Sequence, residues 1–202
     1  MHYHTTTVRI NKEEKNMMNE TLSLIEKRRS HRAYEKTQLT QEALDALLKA
    51  AVESPSANNR QPWHFSVVQN QDLLGQINRE LRTLALRKAE NERSPRFGDE
   101  SFDVFYHAPT VIFISAPEDN SWAPIDCGIA VQNIALAAES IGLGSVILGL
   151  PRDAFTGSRA EEFKSALGFP KGDRFIIAIS LGTPSDVKAA HPVREGKISF
   201  IR

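Results

Sequence analysis

Apolar side chains recur along this chain at two spacings, every three to four residues and every second residue, and their alternation predicts both helices and strands. The opening stretch, Met1 to Met18, sustains neither period and reads as a polar tail ahead of a single domain spanning residues 19–202. Leu22 and Ile25, followed by Lys27-Arg28-Arg29, predict a short amphipathic helix with cations in its last turn. Thr40 is a plausible N-cap for a second helix, whose apolar stripe is Leu44, Leu47, Leu48, Ala51 and Val52. That helix should stop near Ser54-Pro55, because proline disfavours helix in the residue before it.

A polar loop, Ser56 to Pro62, leads into a strand at His64-Phe65-Ser66-Val67-Val68. Residues 72–92 read as a charged helix, and residues 93–99 as a turn ahead of the aromatic group Phe102, Phe105 and Tyr106. Thr110 to Ser115 is almost wholly apolar, which predicts a strand covered on both faces. The segment from Ile125 to Ile141 is apolar nearly all round and is followed by Gly142, a natural helix terminator. A helix with no wet face must be central or covered by a partner subunit. Ser145 to Leu148, then Arg159 to Leu167, then Arg174 to Leu181 predict a strand, a helix and a last core strand. Residues 197–201 form an extended tail with strand character. Strands separated by helices of uneven length imply a three-layer α+β protein with a mixed or antiparallel sheet.

Composition narrows the class. The 202 residues carry 25 Lys plus Arg against 25 Asp plus Glu, and this balance argues against a general nucleic-acid binder. A single cysteine, Cys127, rules out an intrachain disulfide and favours a reducing, cytoplasmic setting. No apolar run approaches the ~20 residues needed to span a bilayer, so no membrane partner is expected. The N-terminus lacks the apolar block of a signal peptide.

Two segments could carry chemistry. In Arg28-Arg29-Ser30-His31-Arg32, alternate side chains of an extended segment point the same way, so Arg28, Ser30 and Arg32 can converge on one anion. Guanidinium forks and a hydroxyl suit phosphate oxygens. The same residues would also serve as a solvated helix end. In the loop from Ser54 to Trp63, Asn59 and Gln61 could read the polar edge of a planar heterocycle, or simply satisfy one another in a turn.

Other chemistries fall away. Gly142-Leu143-Gly144-Ser145 follows a helix and has Ile147 where a dinucleotide loop needs its third glycine. There is no Walker sequence and no G-x-S-x-G elbow. His31, His64, His107 and His191 show no metal-type spacing, His2 and His4 belong to the tail, and no metal is expected. Cys127 reads as a packed small side chain, and Trp63 and Trp122 as core or interface residues.

Taken in order, these segments resemble the FMN-dependent nitroreductase family. The resemblance rests on Arg28-Arg29-Ser30-His31-Arg32-Ala33-Tyr34, on Ser54-Pro55-Ser56-Ala57-Asn58-Asn59-Arg60-Gln61-Pro62-Trp63-His64-Phe65, on the helix ending in Gly142-Leu143-Gly144, and on Gly182-Thr183-Pro184 with a later Arg194. It implies that Arg28, Arg29, Ser30 and Arg32 hold the phosphate and pyrimidine side of FMN, with Arg194 adding a phosphate contact. It further implies that Pro55, Ser56, Ala57 and Asn59 approach the same flavin from the other subunit, with Gln61 supporting the loop. Gly149, next to Leu148, matches the position whose backbone N–H faces flavin N5. Many relatives carry glutamate in place of Leu148, and often lysine in place of Pro192.

The resemblance also implies an intertwined homodimer with two flavins at the interface and the C-terminal strand paired on the partner's sheet edge. Phe102, Phe105 and Tyr106 would form a lid over the flavin that shapes the substrate pocket, or simply pack into the core. The implied activity is ping-pong transfer of a hydride from NAD(P)H through flavin N5 to small electrophiles such as nitroaromatics or quinones. No acid–base side chain is required, because the cofactor carries the chemistry. A flavin carrier or sensor without turnover, a reductive dehalogenase and a flavin-consuming synthase are the alternatives.

Overall fold

The computed structural model describes residues 19–192 and 194–201; the N-terminal tail with His2 and His4 lies outside them. Helix α1 (Glu20–Lys27) begins at Asn19, whose side-chain oxygen accepts the Leu22 N–H at 3.0 Å. Helix α2 (Gln41–Val52) is capped by Thr40, whose hydroxyl accepts the Ala43 N–H at 3.3 Å. Each cap satisfies a backbone donor that the first helical turn leaves open. As the spacing predicts, α2 buries Leu44, Leu47 and Ala51 and stops before Ser54-Pro55.

Strands β1 (His64–Val68), β2 (Thr110–Pro117), β3 (Gly144–Leu148) and β4 (Asp173–Gly182) form one sheet in the order β1-β2-β4-β3, antiparallel throughout. Between β1 and β2 runs α3 (Gln71–Leu86), capped by Asn70. It is shorter than the charged stretch to residue 92 predicts. Its buried stripe, Leu74, Ile77, Leu81 and Ala85, ends there, and beyond it no apolar position holds a helix against the sheet. Short 3-10 turns at Glu90–Glu92 and Pro95–Gly98 replace the missing length. Helix α4 (Ala123–Ser140) joins β2 to β3, and α5 (Ala160–Ala166) precedes β4. The sequence did not predict the 3-10 turn Leu150–Phe155, which has Pro151 in its first turn and buries Ala154 and Phe155.

The two faces of β2 explain the layering. Val111 and Phe113 pack into a core with α3, Phe105 and Phe155, whereas Ile112 and Ile114 pack into a second core with α2 and α4. A strand fully buried on both sides needs the continuous apolar run seen in its sequence. Each large side chain so buried contributes about 1.5–3 kcal/mol. The result is the expected α/β/α arrangement.

Helix α4 is central on one side only. One side buries Cys127, Ala130, Val131 and Ile134 against the sheet, but Trp122 and Ile125 are 58% and 55% exposed on the other. Within one chain, therefore, α4 has an outward face, and that face is apolar. Its C-terminus closes as predicted. Gly142 takes φ 78°, the Leu143 N–H reaches Ala138 O at 2.8 Å, and the Gly142 N–H reaches Glu139 O at 3.2 Å. Residues 197–201 join none of the four strands among the described residues, and Ile198 and Ile201 are exposed.

Candidate functional site

Residues 28–34 leave α1 and run along the free edge of β3. Ser30 bridges Ser145 in parallel, and the His31 N–H donates to Ser145 O at 3.0 Å. The approach is close: a Cβ on Gly144 would lie 2.9 Å from Pro184 Cβ and 3.1 Å from His31 Cβ. The glycines of Gly142-Leu143-Gly144 thus have separate structural duties, one ending a helix and the other admitting this segment.

Asp186, from the chain beyond β4, clamps the segment. One carboxylate oxygen lies 2.7 Å from His31 Nδ1, and the other accepts the Arg32 N–H at 3.0 Å, with Lys188 Nζ also at 3.0 Å. Burial works against the charge of Asp186, but the bonds from the Arg32 backbone, His31 and Lys188 outweigh it and lower its pKa to about 2. Tyr34 Oη donates to His31 O at 2.7 Å, and burial raises the phenol pKa well above its usual value, so it remains a donor.

A cleft of about 580 Å³ opens beside this segment, lined by Arg32, Ser94, Arg96, Tyr106 and residues 146–150. It falls within the range of small-ligand sites. An adjoining cleft of about 350 Å³ is lined by Arg32, Tyr34, Phe102 and Tyr106 among others. The structure therefore brings together Arg32, Leu148, Gly149 and Tyr106 from distant parts of the sequence, with Phe102 next door.

Other expected site residues lie elsewhere. Phe105 is 1% exposed, its ring 5.6 Å from that of Phe113 and its carbonyl accepting the Ser180 hydroxyl at 3.0 Å. It belongs to the core rather than to a lid, because the turn at Asp103 directs Phe105 inward and Tyr106 outward. Arg29 folds back, its Nη1 donating to the carbonyls of Glu26 and Arg28, while its Nε is buried without a partner. Arg28 is half-buried, and its backbone N–H closes α1 on Leu24 O at 2.9 Å. Arg194 is exposed on the C-terminal segment and lines neither cleft.

The second motif forms a separate platform. Asn58, Asn59 and Gln61 take φ values of 53°, 52° and 46°, the left-handed region that costs non-glycine residues energy and recurs at functional sites. Within one chain Gln61 Nε2 donates to Asn59 Oδ1 at 2.9 Å, and the Gln61 N–H donates to Ser56 Oγ at 2.9 Å. Pro55, Ser56, Ala57, Asn59 and Gln61 line neither cleft of their own chain.

The platform is held by two α4 residues that the sequence reading missed. Asp126 accepts the Ala57 N–H, and Asn133 Nδ2 donates to Ser54 Oγ at 2.8 Å. A carboxylate and a carboxamide inside an otherwise apolar helix were the available signal. Cys127, beside Asp126, is buried, and that burial pushes its thiol up to about 12, consistent with a packed rather than reactive side chain. Among the described residues no cluster could hold a metal ion.

An antiparallel sheet between helical layers, with a cleft lined by Arg32 and Arg96 beside its edge strand β3, defines an α+β protein. The chain belongs to the nitroreductase family, whose model matches residues 25–183. A nitroreductase with bound FMN from Desulfitobacterium hafniense is 36% identical, with TM-score 0.86 over 92% of this chain and 100% of that one. A nitroreductase with bound FMN from Bacteroides fragilis is 28% identical, with TM-score 0.84 over the same shares. A candidate NADH dehydrogenase/NAD(P)H nitroreductase of Archaeoglobus fulgidus is 34% identical over 177 residues, 85% of this chain and 89% of that one.

Proposed function

We propose that the protein is a homodimeric FMN-dependent oxidoreductase that uses NAD(P)H to reduce small electrophiles such as nitroaromatics or quinones. The observation that carries this reading is the convergence of Arg32 and Gly149 on one cleft, at an edge where Ser30 is bridged to β3. The residues present fit a flavin mononucleotide. Arg32 lines the cleft, and Arg28 and Ser30, which line neither cleft but belong to the same extended segment, would add donors for the mononucleotide's anionic end. Apart from its chain neighbours, nothing lies within 4 Å of where a Gly149 Cβ would stand, which leaves room for a flat ring. When bound, the flavin would supply the two-electron redox chemistry that links NAD(P)H to the acceptor, beside Leu148 and Gly149.

The protein's own part is placement. Asp186 and the Ser145 carbonyl orient the backbone from which Arg32 extends, and Val146, Leu148 and Leu150 give the cleft an apolar wall opposite its arginines. A twofold assembly would account for the apolar outer face of α4 and for the loop of residues 54–61, which lines neither cleft of its own chain and would serve the partner's. Residues 197–201 would cover the open edge of β1 in the second subunit. Arg194, on the same segment, would approach a phosphate only in that assembly. A cytoplasmic setting accords with the single buried cysteine; among the described residues no helix is long and apolar enough to cross a membrane.

The decisive experiment is spectroscopic. Purified protein should be yellow, with absorbance at about 450 nm that bleaches anaerobically on adding NADH or NADPH. Sustained NAD(P)H oxidation with a quinone separates an enzyme from a flavin carrier. A colourless protein that takes up no FMN would sink the reading.

A further inference from the structure

We infer that Arg96 and Tyr106 form an oxyanion-recognition site in the cleft, selecting aromatic ligands that carry a carboxylate or phosphate group. The inference rests on the functional reading above and adds a ligand class to it. Arg96 Nη1 donates to Tyr106 Oη at 2.6 Å, and the Arg32 guanidinium stands 5.8 Å from the centre of the Tyr106 ring. Tyr106 thus lies between two cations at the mouth of one cleft.

Several observations make this a built site. Tyr106 adopts φ 57° and His107 φ 53°, a conformation that a side chain like tyrosine rarely takes. Asp103 imposes it, its carboxylate accepting the N–H groups of Phe105 at 2.8 Å and His107 at 3.2 Å. Two other arginines are already engaged: Arg93 pairs with Glu90 at 3.4 Å, and Arg82 of α3 donates to Asp99 O at 2.8 Å. Arg96 forms no ion pair among the described residues, and no carboxylate lines its cleft. A guanidinium has five N–H donors and Tyr106 takes one, which leaves a fork for a planar oxyanion.

Arg28 and Arg32 account for a mononucleotide phosphate, whereas Arg96 belongs to a different element, the 3-10 turn Pro95–Gly98. Its charge is left for whatever ligand shares the cleft. That oxyanion has two chemical sources: a carboxylate on the acceptor, or the pyrophosphate of the dinucleotide reductant.

The test uses flavin-loaded protein and the variants Arg96→Gln and Arg96→Lys. Benzoate and benzamide, a charged and a neutral ligand of one shape, are titrated against the visible spectrum of the bound flavin. Turnover is compared for 4-nitrobenzoate against 4-nitrobenzyl alcohol, and for NADH against 1-benzyl-1,4-dihydronicotinamide, which has no phosphate. Arg96→Gln should lower the benzoate-to-benzamide affinity ratio about tenfold, with Arg96→Lys between it and the wild type. A matching loss confined to 4-nitrobenzoate assigns the oxyanion to the acceptor. A loss confined to NADH, with the benzoate ratio also lowered, assigns it to the reductant. Unchanged ratios in every arm overturn the proposal, as does loss of flavin from Arg96→Gln, which would make Arg96 a cofactor ligand. A wild-type protein that takes up no FMN defeats the underlying reading and is recognised before any variant is compared.

Discussion

The Asp126 carboxylate accepts the Ala57 N–H at 3.1 Å across 69 residues of sequence, tying the loop of residues 54–61 to the first turns of α4. Its other oxygen is buried without a partner. A buried, half-satisfied carboxylate is costly in isolation, so its presence points to the loop conformation it enforces.

Asp126→Ala should therefore release the loop. Losing a charge-assisted hydrogen bond of about 1.5–3 kcal/mol would weaken FMN binding by roughly tenfold or more if the loop serves the partner's flavin. Asp126→Asn keeps an acceptor oxygen and should lose less. Flavin titration of the apoprotein reads both, and unchanged affinity in Asp126→Ala would remove the loop from the site.

Arg28 and Arg32 are expected to act on affinity directly. Replacing either by alanine should weaken FMN binding by about ten- to a hundredfold. Full flavin occupancy in the double variant would defeat their assignment.

The aromatic residues 102–106 should divide by burial. Phe105→Ala opens a cavity in the core around Phe113 and should cost about 3–5 kcal/mol in a urea unfolding curve. Phe102→Ala, at the half-buried rim of the adjoining cleft, should shift acceptor preference with a much smaller stability loss. A Phe105→Ala protein of undiminished stability would contradict the packing.

Asp186 sets an acid limit. Its pKa falls from 3.8 to about 2 on folding, so the native state binds its proton less readily than the unfolded chain. The stability it contributes is complete above about pH 4 and disappears as pH falls through about 2. The stability gap between wild type and Asp186→Asn should be constant from pH 7 to about pH 5 and shrink below pH 4. A gap that grows on acidification would reverse the assignment.

The outward face of α4 predicts assembly. Ile125→Glu places a charge on an apolar surface that is 55% exposed in the single chain, so the folded monomer should tolerate it. Sedimentation should then show a shift from dimer to monomer, accompanied by loss of flavin. A dimer that survives Ile125→Glu and the equivalent change at Trp122 would place the interface elsewhere.

Local periodicity made most of the fold legible. β1 ends where its alternation ends, α2 is capped by Thr40 as its sequence indicates, and Gly142 closes α4, because these features depend on neighbours within one or two turns. The motif of residues 28–32 was readable for the same reason. Long-range contacts were not. Nothing in the run Phe102 to Tyr106 says that Phe105 enters the core while Tyr106 meets Arg96, since that depends on a turn formed by Asp103. Nor does sequence spacing reveal that Asp186 reaches back 155 residues to His31. Side-chain chemistry and helical period are properties of short segments, whereas the cleft exists only once the sheet sets β3 against the residues that follow α1.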